Sequence, residues 1–407
     1  MPFSDNQLKN NDFSPNVNTA WHPLPQVKVL VKKALMKIGI PKETIPGESR
    51  VAAVPEIIKK FCSKGFAVCV EVSAGESAHF ADDAYAQAGA RLVGTDEALD
   101  ADLVLKVGLP APGEIDKMRE GSVLCALLDP CRNEEVLARL AGKGVTALAM
   151  ELIPRTTRAQ SMDVLSSQAG IAGYRAVIEA ASHYPRFFPM MMTSAGAARP
   201  AKFIVLGAGV AGLQAIATAR RLGCDVEAFD VRPAVREEIQ SLGAKFIELD
   251  IGETGAGEGG YAKELSEEGK KRQQAALTEY LKKANVIVST ALIPCRDAPV
   301  LVTEEAVKGL AEGSVVIDLA AGFGGNCPSS KPDQVVVEHG VTIIGHTNYP
   351  AMVPGDASAF YARNLFNLVS ILVEEKEGAL SWKDFTEDDI SAAATVTRGK
   401  KVVYAKP

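Results

Sequence analysis

Short apolar runs rich in β-branched residues alternate with amphipathic stretches from Met36 onward. This alternation is typical of parallel strands joined by crossover helices. In the first half of the chain the pattern predicts helices at 56–62 and 134–141, and strands at 37–40, 67–72, 102–107, 122–128 and 145–152. These elements indicate one α/β domain.

A second series of the same kind begins at Lys202. Its predicted strands lie at 203–206, 225–229, 245–249, 285–289, 314–319 and 341–344. Strands in such βαβ alternation form a complete doubly wound sheet. The sequence therefore predicts a second α/β domain.

Two long amphipathic segments flank the second series. Segment 167–183 carries small residues on one face, and Asp356 can N-cap a helix that runs to 373 with an apolar stripe. We expect this last helix to return to the first domain, which makes that domain discontinuous. The fold class predicted is α/β, with two Rossmann-like doubly wound domains and a ligand cleft between them. The expected limits are a mobile tail at 1–35, a first domain at 36–165 plus 356–407, and a second domain at 166–355.

Segment 252–271 departs from this alternation because it is rich in glycine and charge. A loop with so many glycines is costly to order, which favours a mobile flap with Tyr261 near its tip. A solvated connector is the alternative.

Composition narrows the function. The chain has 407 residues, 47% hydrophobic and 23% charged, with a net charge of −6. A duplex-binding protein would show a basic excess or basic clusters, so we expect no nucleic-acid partner. Charge, Pro or Gly interrupts every apolar run before the ~20 residues that a bilayer crossing needs. Residues 1–35 show neither a signal core nor a transit peptide. The seven cysteines include no CxxC pair and favour reduced thiols in the cytoplasm.

The sharpest local motif is KFIVLGAGVAG, in which a strand runs into Gly207, Gly209 and Gly212 and then into an alanine-rich helix. The first glycine permits a tight turn, the second lets the backbone approach a pyrophosphate, and the third lets helix and strand pack closely. The alternative is a tight strand-to-helix turn without a ligand. A following strand that ends in Asp230 favours nucleotide binding.

Asp230 is placed to accept hydrogen bonds from both hydroxyls of an adenosine ribose. A carboxylate there repels a 2′-phosphate, so we expect NAD(H) to be preferred over NADP(H). Arg232 could soften this preference, although Pro233 and Arg236 indicate that it begins a turn and a helix.

Segment 151–175 follows a predicted strand and is dense in polar groups. Ligands bind at the carboxyl ends of such strands. Arg155 and Asp163 can form an ion pair, while Gln160 and Ser166 can hydrogen-bond a carboxamide. A helix-capping network around Ser161 or Asp163 explains the same residues equally well.

Other catalytic signals are weak. The five histidines show no zinc spacing, so no metal is expected. The chain also lacks a GxSxG elbow and a Walker A loop, which disfavours hydrolases and P-loop kinases. His346 follows a strand of the second sheet, and a structural role is favoured for it.

Several motifs resemble one family. MKIGIPKETIPGESRVAAVP, PRTTRAQSMDVLSSQAGIAGYRAV, GAGVAGLQAIATARRLG, GGYAKE, STALIP, IDLAAGFGGNCP and GHTNYP are similar, in this order, to the NAD(H)-binding domain I of proton-translocating NAD(P) transhydrogenase. The resemblance covers roughly residues 36–400. Alanine dehydrogenase is a relative that keeps the lysine matching Lys106 and uses a catalytic histidine shortly after it. Here no histidine lies between His79 and His183.

The resemblance implies roles for individual residues. Arg155, Gln160, Asp163 and Ser166 would surround the nicotinamide and its ribose as the catalytic set. Gly260 and Tyr261 would lie on a loop that closes over the nucleotide. The other nucleotide-contacting positions would be Gly207, Ala208, Gly209, Val210, Gly212, Asp230, Val231, Arg232, Gln273 and Leu292. Direct hydride transfer between two nicotinamides moves no substrate proton, which explains the weak acid–base signal.

The resemblance also implies partners. The chain stops before the membrane-spanning and NADP(H)-binding regions of longer members, and so resembles a separately encoded first subunit. Such a subunit binds NAD(H), docks as a homodimer on the cytoplasmic face of the plasma membrane, and is active only with partners that carry NADP(H) and translocate protons. The alternatives are an amino-acid dehydrogenase using Lys106 and Arg50 for a 2-oxo acid, and a non-catalytic nucleotide-binding protein.

Overall fold

The computed structural model describes residues 35–249, 266–293 and 295–406, and the chain from Leu35 onward forms one compact unit. The strands are β1 (Lys37–Ile40), β2 (Ala67–Glu71), β3 (Arg91–Val93), β4 (Leu103–Leu105), β5 (Val123–Ala126), β6 (Thr146–Ala149), β7 (Met191–Thr193), β8 (Gly196–Ala198), β9 (Lys202–Leu206), β10 (Asp225–Phe229), β11 (Lys245–Phe246), β12 (Val286–Ser289), β13 (Val315–Asp318), β14 (Val335–Glu338), β15 (Val341–Ile344), β16 (Val373–Lys376), β17 (Ala379–Trp382), β18 (Thr395–Arg398) and β19 (Lys401–Val402).

The α-helices are α1 (Pro55–Ser63), α2 (Asp82–Gln87), α3 (Thr95–Leu99), α4 (Pro112–Lys117), α5 (Glu134–Lys143), α6 (Val164–His183), α7 (Val210–Arg221), α8 (Arg236–Ser241), α9 (Glu267–Leu281), α10 (Glu304–Gly309), α11 (Pro354–Leu372) and α12 (Asp389–Ala394). Among the described helices, none has both the length and the apolar character required to cross a bilayer.

The first sheet has the strand order β19-β18-β6-β5-β4-β1-β2-β3. Strands β1 to β6 pair in parallel, whereas β18 lies antiparallel to β6 and β19 antiparallel to β18. Strands from the end of the chain therefore complete a sheet begun at its start, as expected for a discontinuous unit. The numerical domain limits at 165/166 and 355/356 stay predictions.

The second sheet has the order β11-β10-β9-β12-β13-β15-β14 and contains every strand predicted for it. All its pairs are parallel except β14 with β15. The order reverses between β9 and β12, and in the first sheet between β1 and β4. Ligands of doubly wound sheets bind in the crevice at such reversals, outside the carboxyl ends of the strands.

Two long helices connect the two sheets. Val164 near the start of α6 belongs to the core of the first sheet, whereas Ala176 and Val177 further along belong to the core of the second. In α11, Tyr361 and Leu365 are fully buried in the first core, as expected for a helix that returns to it. The two helices pack against each other, so the ends of both sheets are held by shared elements.

Some element predictions were wrong. Helix α11 begins at Pro354, and Val353 is its N-cap instead of Asp356, because a proline suits the first helical position. Strands β3 and β14 were not predicted. Both are short and exposed at the sheet edge, so their side chains do not show the continuous apolar run of a buried strand.

The cysteine expectation is also corrected. Cys131 and Cys295 form a disulfide, with Cα atoms 5.6 Å apart. The other five cysteines are free, and four of them are buried. Sequence spacing could not indicate this pair because its members lie 164 residues apart.

Candidate functional site

The glycine loop after β9 has the backbone that its motif predicts. Gly207 has a φ of +92°, and a Cβ there would lie 2.7 Å from Thr290 Oγ1. A Cβ on Gly212 would overlap the carbonyl oxygen of Gly207. In contrast, a Cβ on Gly209 would meet no atom within 4 Å. The first and third glycines are therefore required by the fold, while the second leaves open space beside the loop.

Helix α7 begins directly at this open space. Its N-cap is Gly209, so no side chain caps the first amides, and Val210 is exposed. Uncapped amides at a helix N-terminus, together with the helix dipole, attract anions. The local geometry thus fits a phosphate group.

Asp230 lies buried at the end of β10 and is already engaged. Its carboxylate accepts hydrogen bonds from the amide of Ala208 at 2.7 Å and from the guanidinium of Arg232 at 2.9 and 3.0 Å. Burial by itself would raise the pKa of Asp230, but these donors outweigh it and the pKa lies below its ordinary value. Val231 between them is exposed. Residues 233–235 then turn into α8, as the sequence predicted.

The polar segment after β6 lines a cavity of about 340 Å³. A 3-10 turn, Thr157–Met162, follows the strand and exposes its polar side chains. The residues that line the cavity are Pro154, Arg155, Thr156, Gln160, Asp163 and Ser166. All four residues of the predicted nicotinamide set are thus brought together.

Within this set, Asp163 is the N-cap of α6. Its carboxylate accepts hydrogen bonds from the Ser166 amide at 2.9 Å and from the Ser166 hydroxyl at 2.6 Å. Among the described contacts, the expected ion pair between Arg155 and Asp163 is absent. The helix-capping interpretation is therefore correct for Asp163, whereas Arg155 and Gln160 are exposed at the cavity.

Helix α6 joins the cavity to the glycine loop. A Cβ on Gly173 would overlap the carbonyl oxygen of Ala211 in the first turn of α7, and one on Gly170 would lie 3.9 Å from Val210 Cγ1. Glycine at these positions allows the two helices to touch closely. At 1.5 Å per residue, the contact at Gly170 lies about 10 Å along the helix from Asp163. The two polar regions are therefore about one nucleotide's length apart.

Models of two domains match this chain: "Alanine dehydrogenase/PNT, N-terminal domain" at residues 39–172 and "Alanine dehydrogenase/PNT, C-terminal domain" at residues 176–405. The chain belongs to the alanine dehydrogenase/PNT family. Membership agrees with the two doubly wound sheets and with the sequence resemblance.

Individual relatives separate the two branches of this alanine dehydrogenase/PNT family. The chain is 49% identical over 378 residues to the separately encoded first portion of NAD(P) transhydrogenase subunit alpha from Rhodospirillum rubrum, covering 91% of this chain and 98% of the relative. It is 29% identical over 377 residues to alanine dehydrogenase 1 of Staphylococcus aureus, covering 90% and 94%. The solved transhydrogenase structure from Sinorhizobium meliloti matches with a TM-score of 0.79 at 44% identity, covering 90% and 99%.

In this family member, two buried cations near the cleft are paired within the chain. Lys106 Nζ lies 2.9 Å from Glu114 and 3.2 Å from Glu43. Burial by itself would lower the pKa of Lys106, but the two carboxylates outweigh it and raise the pKa. Arg50 donates to both oxygens of Glu48 at 2.7 and 2.8 Å.

Contacts missed by sequence reasoning hold the polar turn in place. Asn364 and Asn367 on α11 both donate to the carbonyl oxygen of Ser161, at 2.8 and 2.9 Å. Arg158 forms a two-pronged ion pair with Asp388 at 2.7 and 2.8 Å, and also contacts Asp389. These partners are more than 200 residues away along the chain, so no local motif could reveal them.

The remaining predicted nucleotide contacts are dispersed. Leu292 is exposed in the loop after β12, at the same sheet edge as Gly207. Gln273 lies half-buried on α9, whose Leu277 belongs to the core on the opposite face of the sheet from α7. Gly260 and Tyr261 lie outside the described residues.

Proposed function

We propose that this chain is the NAD(H)-binding subunit of a proton-translocating NAD(P) transhydrogenase. In this function, hydride passes directly between NADH on this chain and NADP⁺ on a partner subunit. Support comes from the 49% identity to a named transhydrogenase subunit over nearly its whole length. The open glycine loop and the adjacent polar cavity fit the two ends of a dinucleotide.

Gly207, Ala208, Gly209, Val210 and Gly212 would hold the pyrophosphate. The uncapped amides of α7 supply hydrogen-bond donors there, and the open position at Gly209 lets the backbone approach. Gly260 and Tyr261, on a closing loop, and Gln273 and Leu292 remain proposed further contacts.

Asp230, Val231 and Arg232 would contact the adenosine ribose. Because Arg232 occupies the Asp230 carboxylate, ribose binding requires the guanidinium to rotate aside while the Ala208 hydrogen bond persists. The negative charge of Asp230 disfavours a 2′-phosphate, so NADH should bind more tightly than NADPH. Isothermal titration with both nucleotides tests this point, and equal affinity would contradict the assignment.

Arg155, Gln160, Asp163 and Ser166 would bind the nicotinamide end. Bound NADH supplies the hydride, and the chain must orient the ring and exclude water. Asp163 and Ser166 are fixed at the start of α6, whereas Arg155 and Gln160 reach the cavity from the 3-10 turn. Such a site needs no general acid or base.

The pairing of Lys106 and Arg50 is the observation that most favours this function over amino-acid oxidation. An amino-acid dehydrogenase would need a free cation for the carboxylate of a 2-oxo acid. Here Lys106 is neutralised by Glu43 and Glu114, and Arg50 by Glu48. The segment between His79 and His183 also contains no histidine to move a proton.

One assay separates the candidate functions. The purified chain is mixed with NADH and either pyruvate plus ammonium, or a separately produced NADP(H)-binding domain carrying an oxidised NADP analogue. We expect NADH oxidation only in the second mixture. Oxidation with pyruvate and ammonium would establish the dehydrogenase, and binding of NADH without oxidation in either mixture would favour a non-catalytic binding protein.

We further propose that the chain acts as a homodimer on the cytoplasmic face of the plasma membrane, attached through membrane-spanning and NADP(H)-binding partner subunits. The β7–β8 hairpin favours self-association because Met190 and Met192 are 64% and 77% exposed, and nearby Phe187 is 58% exposed. Exposed apolar clusters commonly form interfaces.

Sedimentation velocity tests the dimer. Met192→Asp should shift the dimer towards monomer, because a carboxylate in an apolar interface is costly to desolvate. Val337→Asp, at an equally exposed valine on edge strand β14, is the matched control and should leave the dimer unchanged. A monomeric wild-type chain would contradict the proposal.

A further inference from the structure

The disulfide between Cys131 and Cys295 links segments of the chain that belong to different sheets. Cys131 lies in the loop that follows β5 of the first sheet, and Cys295 lies in the loop that follows β12 of the second. Both loops leave the carboxyl ends of their strands, where the cleft is expected. The bond therefore spans the cleft edge and limits how far the two sheets can separate.

The Cys131 loop is held firmly to the first sheet. Buried Glu151 accepts hydrogen bonds from the amides of Leu128, at 2.9 Å, and Asp129. The Asn133 side chain donates to the carbonyl oxygens of the same two residues, each at 3.0 Å. A sulfur on this loop cannot move independently of the sheet.

The Cys295 loop is tied to the second sheet in a similar way. Asn326 is fully buried at its base, where its side-chain amide donates to the carbonyl oxygens of Ala291 at 2.9 Å and Pro299 at 2.8 Å. The loop between these anchors carries both Cys295 and Leu292, a proposed nucleotide contact. Movement of Cys295 is therefore passed to the nucleotide side of the loop.

Weaker contacts hold the same two loops together. Arg132 donates to the carbonyl oxygen of Gly322 at 3.3 Å, and its guanidinium lies 4.4 Å from the ring centre of Phe323. The Tyr404 hydroxyl lies 3.0 Å from Cys131 Sγ and 3.8 Å from Cys295 Sγ. These contacts keep the sulfurs close when the covalent bond is open, which favours its re-formation.

We propose that Cys131 and Cys295 are a reversible oxidation site that tethers the two sheets across the cleft and thereby controls the exchange of bound nicotinamide nucleotide. The control of exchange rests on the proposed function, whereas the oxidation site itself does not. Disulfides in cytoplasmic proteins are mostly transient and often regulatory, which suits a pair placed at a moving cleft.

The oxidant is a low-molecular-weight disulfide such as oxidised glutathione. The thiolate of half-buried Cys295 attacks one sulfur of this disulfide, forming a mixed disulfide and releasing one small thiolate. The thiolate of Cys131 then attacks Cys295 Sγ, closes the tether and releases the second small thiolate. The protein loses two thiol protons and two electrons, and the small disulfide gains both as two thiols.

The tether should act mainly on rates. A nucleotide that enters or leaves a cleft between two sheets needs the cleft to open, and lid or domain opening often limits such steps. A covalent bond across the edge opposes opening. We therefore expect oxidation to lower both the association and the dissociation rate of NADH several-fold.

The test begins with the full chain reduced by dithiothreitol and then oxidised with oxidised glutathione. Non-reducing peptide mapping should find the Cys131–Cys295 peptide pair in the oxidised sample, and stopped-flow fluorescence should find slower NADH association and dissociation there. Cys131→Ser and Cys295→Gly should both abolish the difference between the redox states. Glycine suits position 295 because Cys295 has a φ of +59°.

Cys62→Ser is the matched control, since Cys62 is half-buried and free and should leave the redox response intact. Failure to find the peptide pair after oxidation would overturn the oxidation site. Equal NADH rates in the two redox states, with the peptide pair present, would overturn the control of exchange. Absence of NADH binding in both states would instead contradict the proposed function, and with it the tether's effect on exchange.

Discussion

Individual residues divide the candidate site into positions required by folding and positions left open for a ligand. Gly207 and Gly212 are surrounded by backbone and by Thr290, whereas Gly209 faces open space. Asp163 is committed to capping α6, whereas Arg155 and Gln160 are exposed at the cavity. Substitutions should therefore separate stability from binding cleanly.

Gly209→Ala should leave the free energy of unfolding nearly unchanged, because the new methyl group meets no atom within 4 Å. It should weaken NADH binding about tenfold, since the methyl group occupies the approach to the pyrophosphate. Gly212→Ala should instead destabilise the chain by about 1–3 kcal/mol through overlap with Gly207. Urea unfolding and fluorescence titration measure both effects, and a strongly destabilised Gly209→Ala would contradict the distinction.

Gln160→Asn should slow hydride transfer roughly ten- to a hundredfold while changing NADH affinity little, because a shorter side chain misplaces the amide at the ring. The measurement is single-turnover transfer in the reconstituted complex, beside a binding titration. Thr157→Ser, on the same exposed turn but outside the cavity lining, is the control. An unchanged transfer rate would count against the role of Gln160.

Glu48→Gln should reduce the free energy of unfolding by about 3 kcal/mol at neutral pH, because it leaves Arg50 buried without its carboxylate. Burial by itself would raise the pKa of Glu48, but the Arg50 hydrogen bonds outweigh it and hold the pKa below 4.5. Ionised Glu48 is thus favoured by folding.

The stabilisation by Glu48 should therefore be complete above about pH 4.5 and disappear as the pH falls through the lowered pKa. Urea unfolding of both proteins at about pH 7 and about pH 3 tests this dependence. The stability curves should converge in acid. A difference that grew as the pH fell would contradict the assignment.

At the scale of elements, α6 determines how the polar turn and the glycine loop are arranged. The helix is capped at its start by Asp163, crosses α7 at Gly173, and contributes Ala176 to the second core. Its small-residue face, visible in the sequence, thus has a specific purpose, which is close approach to the first turn of α7.

Gly173→Ala should destabilise the chain by about 1–3 kcal/mol, since its methyl group overlaps the Ala211 carbonyl oxygen and forces the helices apart. It should also weaken NADH binding, because the first turn of α7 moves. Gly142→Ala within α5 meets no atom within 4 Å and should stabilise the chain by about 0.5–1 kcal/mol. Thermal unfolding checks both, and equal effects would contradict the close-contact argument.

The sequence predicted elements well where burial is uniform. Strands such as β9 and β13 are apolar on both faces and were recognised, whereas exposed β14 was not. The glycine loop was predictable because its chemistry is local. The Asn364–Ser161 hydrogen bond, the Arg158–Asp388 ion pair and the Cys131–Cys295 disulfide were not, because their partners meet only through the fold.

At the scale of the whole molecule, two sheets of similar strand order face one cleft, and each contributes a different portion of the site. The second sheet supplies the glycine loop and Asp230, while the turn after β6 of the first supplies Arg155 and Gln160. The internal pairing of Lys106 leaves that cation unavailable to a small acid substrate. The arrangement suits one nucleotide bound on this chain and a second presented by a partner.

The most direct test follows deuterium from C4 of labelled NADH. The chain is incubated with the NADP(H)-binding domain carrying NADP⁺, and also with pyruvate plus ammonium, and the products are analysed by mass spectrometry. We predict that deuterium appears at C4 of the reduced NADP and that none appears in alanine. Deuterium at the α-carbon of alanine, or its loss to water during formation of reduced NADP, would contradict direct transfer between the two nicotinamides.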